Sequence, residues 1–227
     1  MRTPLIIAID GPAGAGKSTV ARMLASRLGL PYVDSGATYR AVALKVLEHG
    51  VSPSDEAAVV RLIDGAEIRF AGRAEGRRIL LDQRDVTHLI RTPEVTLAAA
   101  QVSRLLEVRQ KLISLQRTFS SEPGVVMEGR DIGTVVFPQA PLKIFLEANP
   151  QERARRRLEQ EDADGRRASL AQTAEEIRHR DQLDAERNVS PLVAAEDAVR
   201  IDSTRFTADE VVERILEVAR ERKLIER

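Results

Sequence analysis

Residues 9–19 read IDGPAGAGKST, and this stretch decides the fold. Gly11, Gly16, Lys17 and Ser18 match the phosphate-loop pattern G-x-x-x-x-G-K-[ST] at every fixed position. An apolar run precedes the loop and apolar residues at helical spacing follow it, which is the strand, loop and helix context that this motif requires. The stretch therefore predicts an α/β fold with a binding site for phosphates.

The chemistry of the predicted loop follows from its residue types. Glycines allow backbone N–H groups to point at phosphate oxygens, and the start of the following helix adds a favourable dipole. Lys17 would reach the β- and γ-phosphates of ATP, and Ser18 would bind Mg²⁺. The predicted ATP-binding residues are Gly11, Pro12, Ala13, Gly14, Ala15, Gly16, Lys17, Ser18 and Thr19. A glycine-rich turn that binds nothing is the alternative.

Composition limits the classes of function. The chain has 35 Lys and Arg residues and 35 Asp and Glu residues, and this balance predicts no binding to a nucleic-acid polymer. The absence of cysteine excludes disulfides, thiolate nucleophiles and sulfur-ligated metals. The early apolar run is too short for a signal or a membrane span, and no long apolar stripe stands out. We expect a cytoplasmic, soluble monomer with no membrane partner.

Strand patterns alternate with helix patterns along most of the chain. The strand candidates are residues 5–10, 30–33, 124–127, 142–146 and 200–202. This alternation predicts a parallel β-sheet flanked by helices. Residues 66–86 instead have the pattern of an antiparallel pair, which we expect to be an insertion. Thr92 and Pro93 predict the start of a helix that continues to about residue 119.

Two polar clusters follow predicted strands. DSGATYR, residues 34–40, follows the second strand, and EGRDIG, residues 128–133, follows the third. Ligands bind outside the carboxyl ends of the strands in an open α/β sheet, so we expect Ser35, Tyr39 and Arg40 to face the crevice beside the phosphate loop. Turn chemistry or a surface ion pair explains either cluster equally well when it is taken alone.

A third cluster lies on a predicted helix that begins at residue 170 and ends near residue 187. Leu170, Ala174 and Ile177 define its buried face. The same face continues with charged residues, namely Arg180, Asp181 and Asp184. Such a helix lines a cleft, or its end emerges into solvent.

Arginines are concentrated ahead of this helix, in the segment ERARRR. Arg153 and Arg157 are four positions apart and therefore share one helix face. Phosphoryl transfer requires cations around the migrating group and the exclusion of water. An arginine-bearing helix that runs into a lid hinged near Gly165 would meet both needs, although a solvated charged face is the usual meaning of such a segment.

A phosphate loop by itself occurs in switches, motors and kinases. The guanine-reading N-K-x-D motif of GTPases and the LSGGQ-like signature of transporter ATPases are both missing from the sequence. What remains is a small P-loop protein with an arginine-rich second half. Two functions stay open as alternatives. One is a kinase for a small acceptor such as UMP or a shikimate-like hydroxyl acid, and the other is a regulatory module that binds ATP without turnover.

Seven segments together resemble the bacterial cytidylate kinases over residues 6–202. They are GPAGAGKST, DSGATYRAVAL, VRQKLISLQR, EGRDIGTVVFP, KIFLEA, ERARRR and RDQLDAERNVSPL. The resemblance implies the fold of a P-loop nucleoside monophosphate kinase, with a small antiparallel insertion in the acceptor-binding region and a short lid. It implies one domain over residues 1–227, with a core at 1–62, 102–158 and 170–227, the insertion at about 63–101 and the lid at about 159–169.

The resemblance also implies an activity and its residues. ATP, with Mg²⁺, would donate its γ-phosphate to CMP or dCMP, giving ADP and CDP or dCDP. The implied catalytic residues are Lys17, Arg130, Arg153 and Arg157. The implied acceptor-binding residues are Ser35, Tyr39, Arg40, Arg109, Arg130, Asp131, Arg180, Asp184 and Arg187. Within that set, Arg109 and Asp131 match the pair that reads cytosine.

One position departs from the family pattern. The family usually has serine in A-S-x-V, where this sequence has Ala100 in AAQV, so a hydroxyl contact to cytosine is lost. Either selectivity is weaker in this protein, or a water molecule or Ser103 compensates.

Overall fold

The computed structural model describes residues 4–72, 77–120, 123–163, 169–185, 187 and 189–226. Its strands, in chain order, are β1 (Leu5–Asp10), β2 (Tyr32–Asp34), β3 (Ile68–Ala71), β4 (Arg78–Leu81), β5 (Arg84–Asp85), β6 (Gly124–Gly129), β7 (Leu142–Glu147) and β8 (Val199–Asp202). Its helices are α1 (Lys17–Leu28), α2 (Ser35–Glu48), α3 (Glu56–Ile63), α4 (Pro93–Val102), α5 (Leu106–Arg117), α6 (Pro150–Ala163), α7 (Leu170–Ala185) and α8 (Ala208–Glu221). Short 3₁₀ turns cover Leu89–Arg91 and Thr118–Ser120, and a π-helical turn covers Ile132–Val136.

The main sheet is parallel and has the strand order β2-β6-β1-β7-β8. Asp10, the last residue of β1, pairs with Gly129 of β6, and Asp34 of β2 pairs with Glu128. The carboxyl ends of these strands therefore meet at one edge of the sheet, which is where ligands bind in folds of this kind. The predicted parallel sheet flanked by helices is confirmed.

Side chains alternate between the two faces of β1, and each face has its own core. Ile7 and Ile9 lie in the buried cluster with α1 and α8, whereas Ala8 belongs to a cluster on the opposite face. The helix α8 begins with a capping box, in which Thr207 and Glu210 bond each other's backbone N–H groups. Apolar side chains therefore cover the sheet on both of its faces.

The antiparallel sheet β3-β4-β5 shares a core with the helices beside α2. Ile68, Ile79 and Leu81 of the small sheet lie in the same buried cluster as Val42 and Val46 of α2. The predicted antiparallel element in this region is confirmed. The division of the chain into core, insertion and lid stays a prediction.

The helix that the sequence predicted from Thr92 to about residue 119 is two helices. Thr92 caps α4 as predicted, because its Oγ1 accepts a hydrogen bond of 3.3 Å from the Val95 N–H. The helix ends after Val102, and the Ser103 carbonyl accepts a hydrogen bond of 2.9 Å from the Arg109 side chain. A carbonyl at a helix end needs a partner outside its own helix, so Arg109 closes the break between α4 and α5.

Residues 35–40 form the first part of α2, and Asp34 caps this helix because its Oδ1 accepts a hydrogen bond of 3.1 Å from the Ala37 N–H. One further sequence expectation differs from the structure. The buried face of α7 starts at Thr173, which is fully buried, and continues at Ile177, whereas Leu170 is 51 % exposed. The expectation that Leu170 belongs to the buried face was wrong.

The predicted lid at 159–169 lies mostly outside the described residues. The helix α6 enters this range and ends at Ala163. Among the residues that the structure describes, no helix is both long and apolar enough to span a bilayer.

Candidate active site

The phosphate loop joins β1 to α1 and is held tightly by the strand and helix beside it. Gly11 has a φ of 148°, and a Cβ added there would lie 2.0 Å from the Leu146 carbonyl oxygen. Gly14 has a φ of 75° and also lies close to the backbone of Arg153, with 2.8 Å between an added Cβ and the Arg153 oxygen. Only glycine fits these two positions. The loop motif thus has a geometric cause in this fold.

Lys17 begins α1 and is buried at the centre of the loop. Its Nζ donates a hydrogen bond of 2.7 Å to the Pro12 carbonyl oxygen. Burial first, and then the nearby Arg130 guanidinium, lower the pKa of Lys17 from 10.5 to about 7. A buried ammonium among other cations favours an anion beside it, and a phosphate supplies one.

Glu128 lies beside Ser18, at the carboxyl end of β6. The Tyr32 hydroxyl donates a hydrogen bond of 2.6 Å to Glu128 Oε1, and the Ser18 side chain also interacts with this carboxyl group. Burial raises the pKa of Glu128, and the neighbouring Asp34 raises it further. An acidic oxygen and a hydroxyl therefore meet next to the phosphate loop.

Asp184 of α7 lies at the centre of a group of arginines. Arg130 Nε donates a hydrogen bond of 2.7 Å to Asp184 Oδ2, and Arg187 forms an ion pair with Oδ1. Burial alone would raise the pKa of Asp184, but Arg130, Arg187 and Arg180 outweigh it and hold the pKa below its usual value. Burial also lowers the pKa of Arg180 to about 10, helped by Arg130. The predicted charged continuation of the α7 face therefore packs against Arg130 and Arg187 rather than emerging into solvent.

Arg109 and Asp131 form a second buried ion pair. Arg109 is 1 % exposed, and its Nη2 donates to Asp131 Oδ2. The guanidinium lies over the ring of Tyr39, with 5.4 Å between its carbon and the ring centroid. Arg109 Nε is buried and has no hydrogen-bond partner among the described residues. Such a donor is what a bound ligand can satisfy.

Ser35 and Arg40 of α2 lie where two strands end. Arg40 Nη2 donates a hydrogen bond of 2.6 Å to Asp34 Oδ2, and its buried Nε has no partner within the described part of the chain. A Cβ added to Gly129 would lie 2.4 Å from the Ser35 Oγ, so the glycine leaves room for this hydroxyl. Ser35 and Arg40 therefore approach the end of β6.

The arginines of α6 approach the loop from the β7 side of the sheet. Arg153 is buried, and its Nη1 donates to the Ala13 carbonyl oxygen at 3.1 Å and to Asp181. Arg157 is half-buried, and its charge contributes to the lowered pKa of Arg180. Both lie on one helix face, as the spacing of four predicts. That face is turned towards the phosphate loop and α7 rather than to solvent alone.

The surroundings of Ala100 bear on the missing hydroxyl. Ser103 is buried, and its Oγ donates a hydrogen bond of 2.9 Å to the Ala100 carbonyl oxygen. This hydroxyl is engaged within its own helix end, so the geometry does not favour Ser103 as a replacement for the lost contact.

Three acidic residues at the site were given no role by the sequence. Asp10 accepts hydrogen bonds from the Ile132 and Gly133 N–H groups, at 2.9 and 2.7 Å, and so joins β1 to the π-helical turn. Glu128 and Asp181 complete the set. Position in the sequence could have identified two of them. Asp10 ends one strand candidate and Glu128 directly follows another, which is where ligand-binding residues lie in this type of fold.

Comparisons with known proteins point to one family. The cytidylate kinase family model matches residues 7–221. A cytidylate kinase of Carboxydothermus hydrogenoformans is 50 % identical over 212 residues, which cover 93 % of this chain and 96 % of the relative. One of Geobacillus sp. is 45 % identical over 98 % of this chain and 99 % of its own length.

A solved structure supports the fold alone. The crystal structure of TT1252 from Thermus thermophilus has a TM-score of 0.50 and 24 % identity, and the match covers 99 % of this chain and all of that one. With a family match over nearly the whole chain and relatives this similar, the protein belongs to the cytidylate kinase family.

Proposed function

We propose that this protein transfers the γ-phosphate of ATP to CMP or dCMP, forming ADP and CDP or dCDP. The observation that carries the proposal is the juxtaposition of a phosphate loop with the buried Arg109–Asp131 pair at the carboxyl edge of one sheet. One feature suits a donor triphosphate, and the other suits a polar base. Membership of the family supports the same activity.

We assign the ATP phosphates to the loop between β1 and α1. The loop residues from Gly11 to Thr19 surround the start of α1, where backbone N–H groups and the helix dipole favour anions. Lys17 would leave the Pro12 carbonyl and bind the β- and γ-phosphates, whose negative charge would offset the repulsion from its cationic neighbours.

Ser18 and Glu128 fit a magnesium ion that arrives with ATP. Mg²⁺ keeps several waters and takes one or two protein oxygens together with substrate phosphates. The exposed Ser18 hydroxyl and the adjacent carboxylate of Glu128 are oxygens of that type. When bound there, the ion would supply charge neutralisation between the β- and γ-phosphates.

We assign the acceptor base to the Arg109–Asp131 pair. An Asp131 carboxylate can accept from the exocyclic amino group of cytosine, whereas uracil presents a carbonyl there and would leave two acceptors facing each other. Arg109 Nε, which is buried and without a partner among the described residues, is available as a donor. The ring of Tyr39 packs on the same guanidinium and limits its position.

The acceptor sugar and phosphate would lie between α2 and α7. Arg40, Arg130, Arg180 and Arg187 supply positive charge, and Asp184 holds Arg130 and Arg187 in place and offers an acceptor to a ribose hydroxyl. Ser35 would bind the same part of the acceptor. The charges of Arg130 and Arg40 lower the pKa of Arg180, which supports the assignment of these arginines to one site.

The chemical step then depends on charge and position. The acceptor phosphate oxygen attacks the γ-phosphorus, and negative charge spreads over the migrating group in the transition state. Lys17, Arg130, Arg153 and Arg157 would surround that charge. Preorganised cations in a site that excludes water lower the barrier without a strong base.

The cytoplasm is the location that we propose, because ATP is available there. We also propose a monomer, since the large apolar side chains that are exposed among the described residues, such as Leu97 and Val193, are scattered over different elements. Light scattering coupled to size exclusion would test the monomer directly.

The test of the function is a panel of acceptors. ADP production is measured with ATP, Mg²⁺ and equal concentrations of CMP, dCMP, UMP, AMP or GMP. We expect turnover with CMP and dCMP and at least tenfold less with the other three, a ratio within what a polar site achieves. Equal turnover with UMP would contradict the assignment of the base site, and silence with all five would contradict the function.

A further inference from the structure

Asp181 of α7 contacts the phosphate loop directly. Its Oδ1 accepts a hydrogen bond of 3.3 Å from the Ala13 N–H, and its Oδ2 forms an ion pair with Arg153. The residues at this contact lie 168 positions apart in the sequence. The family resemblance assigns no role to Asp181. This residue is not part of the Arg109–Asp131 ion pair, and it is not the carboxylate that binds Arg130 and Arg187.

The backbone N–H and the carbonyl oxygen of Ala13 are both hydrogen-bonded to side chains. Asp181 takes its N–H, while Arg153 Nη1 donates to its carbonyl oxygen at 3.1 Å. Arg153 is in turn fixed by a hydrogen bond of 3.1 Å from its Nε to the Ala148 carbonyl. The loop, α6 and α7 are therefore joined at Ala13 through two side-chain contacts, one from Asp181 and one from Arg153.

A carboxylate in this position has the chemistry of a phosphate oxygen. It carries negative charge, accepts from a backbone N–H of a phosphate loop and pairs with an arginine that faces the loop. Its side chain is 23 % exposed, so solvent and a ligand can reach it. A triphosphate entering the loop would meet this charge at close range, and like charges repel strongly where the dielectric is low.

We propose that Asp181 is a positioning residue that occupies the phosphate loop as an internal anion until ATP displaces it. The proposal rests on the proposed function, since it requires that the loop binds ATP. Displacement frees the Ala13 N–H for a phosphate and leaves Arg153 facing the migrating group. ATP cannot bind the loop while Asp181 occupies it. The apparent affinity for ATP is therefore lower when a larger fraction of the molecules has Asp181 in the loop.

The same contact links donor binding to the acceptor site. Arg180 precedes Asp181 in α7, and Asp184 follows one helical turn later, so both share a rigid element with it. Loss of the Asp181 contact removes one restraint from the helix that carries these two acceptor-binding residues. ATP binding would therefore change the restraint on the helix that carries Arg180 and Asp184.

The test is the affinity for the nonhydrolysable analogue adenylyl imidodiphosphate, measured by calorimetry with Mg²⁺ and without acceptor. We expect Asp181→Asn to bind this analogue on the order of 3- to 10-fold more tightly than the wild type, because the competing charge is gone. The KM for ATP should fall in parallel. Asp181→Glu keeps the charge and should bind no more tightly than the wild type.

Glu176→Gln is the matched control. Glu176 is exposed on the same helix, and its substitution removes the same charge away from the loop. The affinity of this variant should equal that of the wild type. If Asp181→Asn shows no cooperative thermal transition, Asp181→Ala supplies the same loss of charge.

The outcomes separate this inference from the function on which it rests. Unchanged or weaker binding by folded Asp181→Asn would overturn the inference and assign Asp181 a purely structural role. Tightening by Glu176→Gln to the same degree would also overturn it, since the effect would then come from net charge. Failure of the wild type to bind the analogue would instead contradict the proposed function.

Discussion

Asp131, which follows β6, accepts a hydrogen bond from Arg109 of α5, and the two buried side chains lie 22 positions apart in the sequence. The pair lies on the same side of the sheet as the phosphate loop. Asp131 follows β6, and β6 lies beside β1, the strand that leads into the loop. A buried ion pair contributes little to stability by itself, since desolvation offsets much of its attraction. We propose that its value is specificity, since the proposed function assigns base recognition to this pair.

Asp131→Asn should relax base selectivity. An amide can accept from cytosine or, after rotation, donate to uracil, so the charge-assisted preference disappears. We expect the ratio of kcat/KM for CMP to that for UMP to fall by about 10- to 100-fold, the range expected for one hydrogen bond to a charged group. Steady-state kinetics with both acceptors measure it. A ratio equal to that of the wild type would show that Asp131 does not read the base.

Ala100→Ser should strengthen selectivity. The substitution restores the hydroxyl usual in the family, and the existing Ser103 hydroxyl is already engaged with the Ala100 carbonyl. We expect the CMP to UMP ratio to rise by about 2- to 10-fold, which corresponds to one neutral hydrogen bond. Ser103→Ala is the control and should leave the ratio unchanged. If the control lowers the ratio as much as Ala100→Ser raises it, Ser103 is the compensating residue.

Binding of ATP should take up a proton at pH 8. Burial and Arg130 lower the pKa of Lys17 to about 7 in the free protein, so the side chain is mostly neutral at pH 8. Phosphates beside it favour the charged form, so its pKa rises on binding and Lys17 gains close to one proton. Calorimetry in two buffers with different ionisation enthalpies counts that proton. Identical apparent enthalpies would contradict the prediction, and ATP affinity should decrease as pH rises above 7.

Gly11→Ala should destabilise the fold. Its φ of 148° is unfavourable for alanine, and the new Cβ would lie 2.0 Å from the Leu146 carbonyl oxygen. We expect the free energy of unfolding to fall by about 3 kcal/mol, from backbone strain and overlap together. Gly29→Ala is the control, because it also has a positive φ but nothing lies within 4 Å, and it should cost only about 1 kcal/mol. Urea unfolding measures both, and equal costs would show that the close approach to Leu146 relaxes.

The sequence predicted those features that a local pattern determines. The phosphate loop, the Thr92 cap and the antiparallel element at residues 66–86 each have a signal within a few positions. The break between α4 and α5 has none, because its cause is the Arg109 side chain that reaches back to the Ser103 carbonyl.

The parts of the site that were missed depend on contacts between distant segments. Asp181 was visible as a charged residue on the α7 face, but its contact with Ala13 requires the tertiary fold. Leu170 fitted the apolar stripe by spacing, yet the helix packs through Thr173 instead, so the contact surface is rotated from the one that hydrophobicity predicts.

The most direct measurement follows the labelled γ-phosphate of ATP in a reaction with CMP. We predict that the label appears in the β-phosphate of CDP, with one ADP formed for each CDP. Lys17→Ala, which should keep its thermal transition, is expected to lower this rate by a factor of about 100 to 1,000, as the loss of one charge-stabilising group does elsewhere. Label recovered as inorganic phosphate, or ADP formed without CDP, would contradict the account.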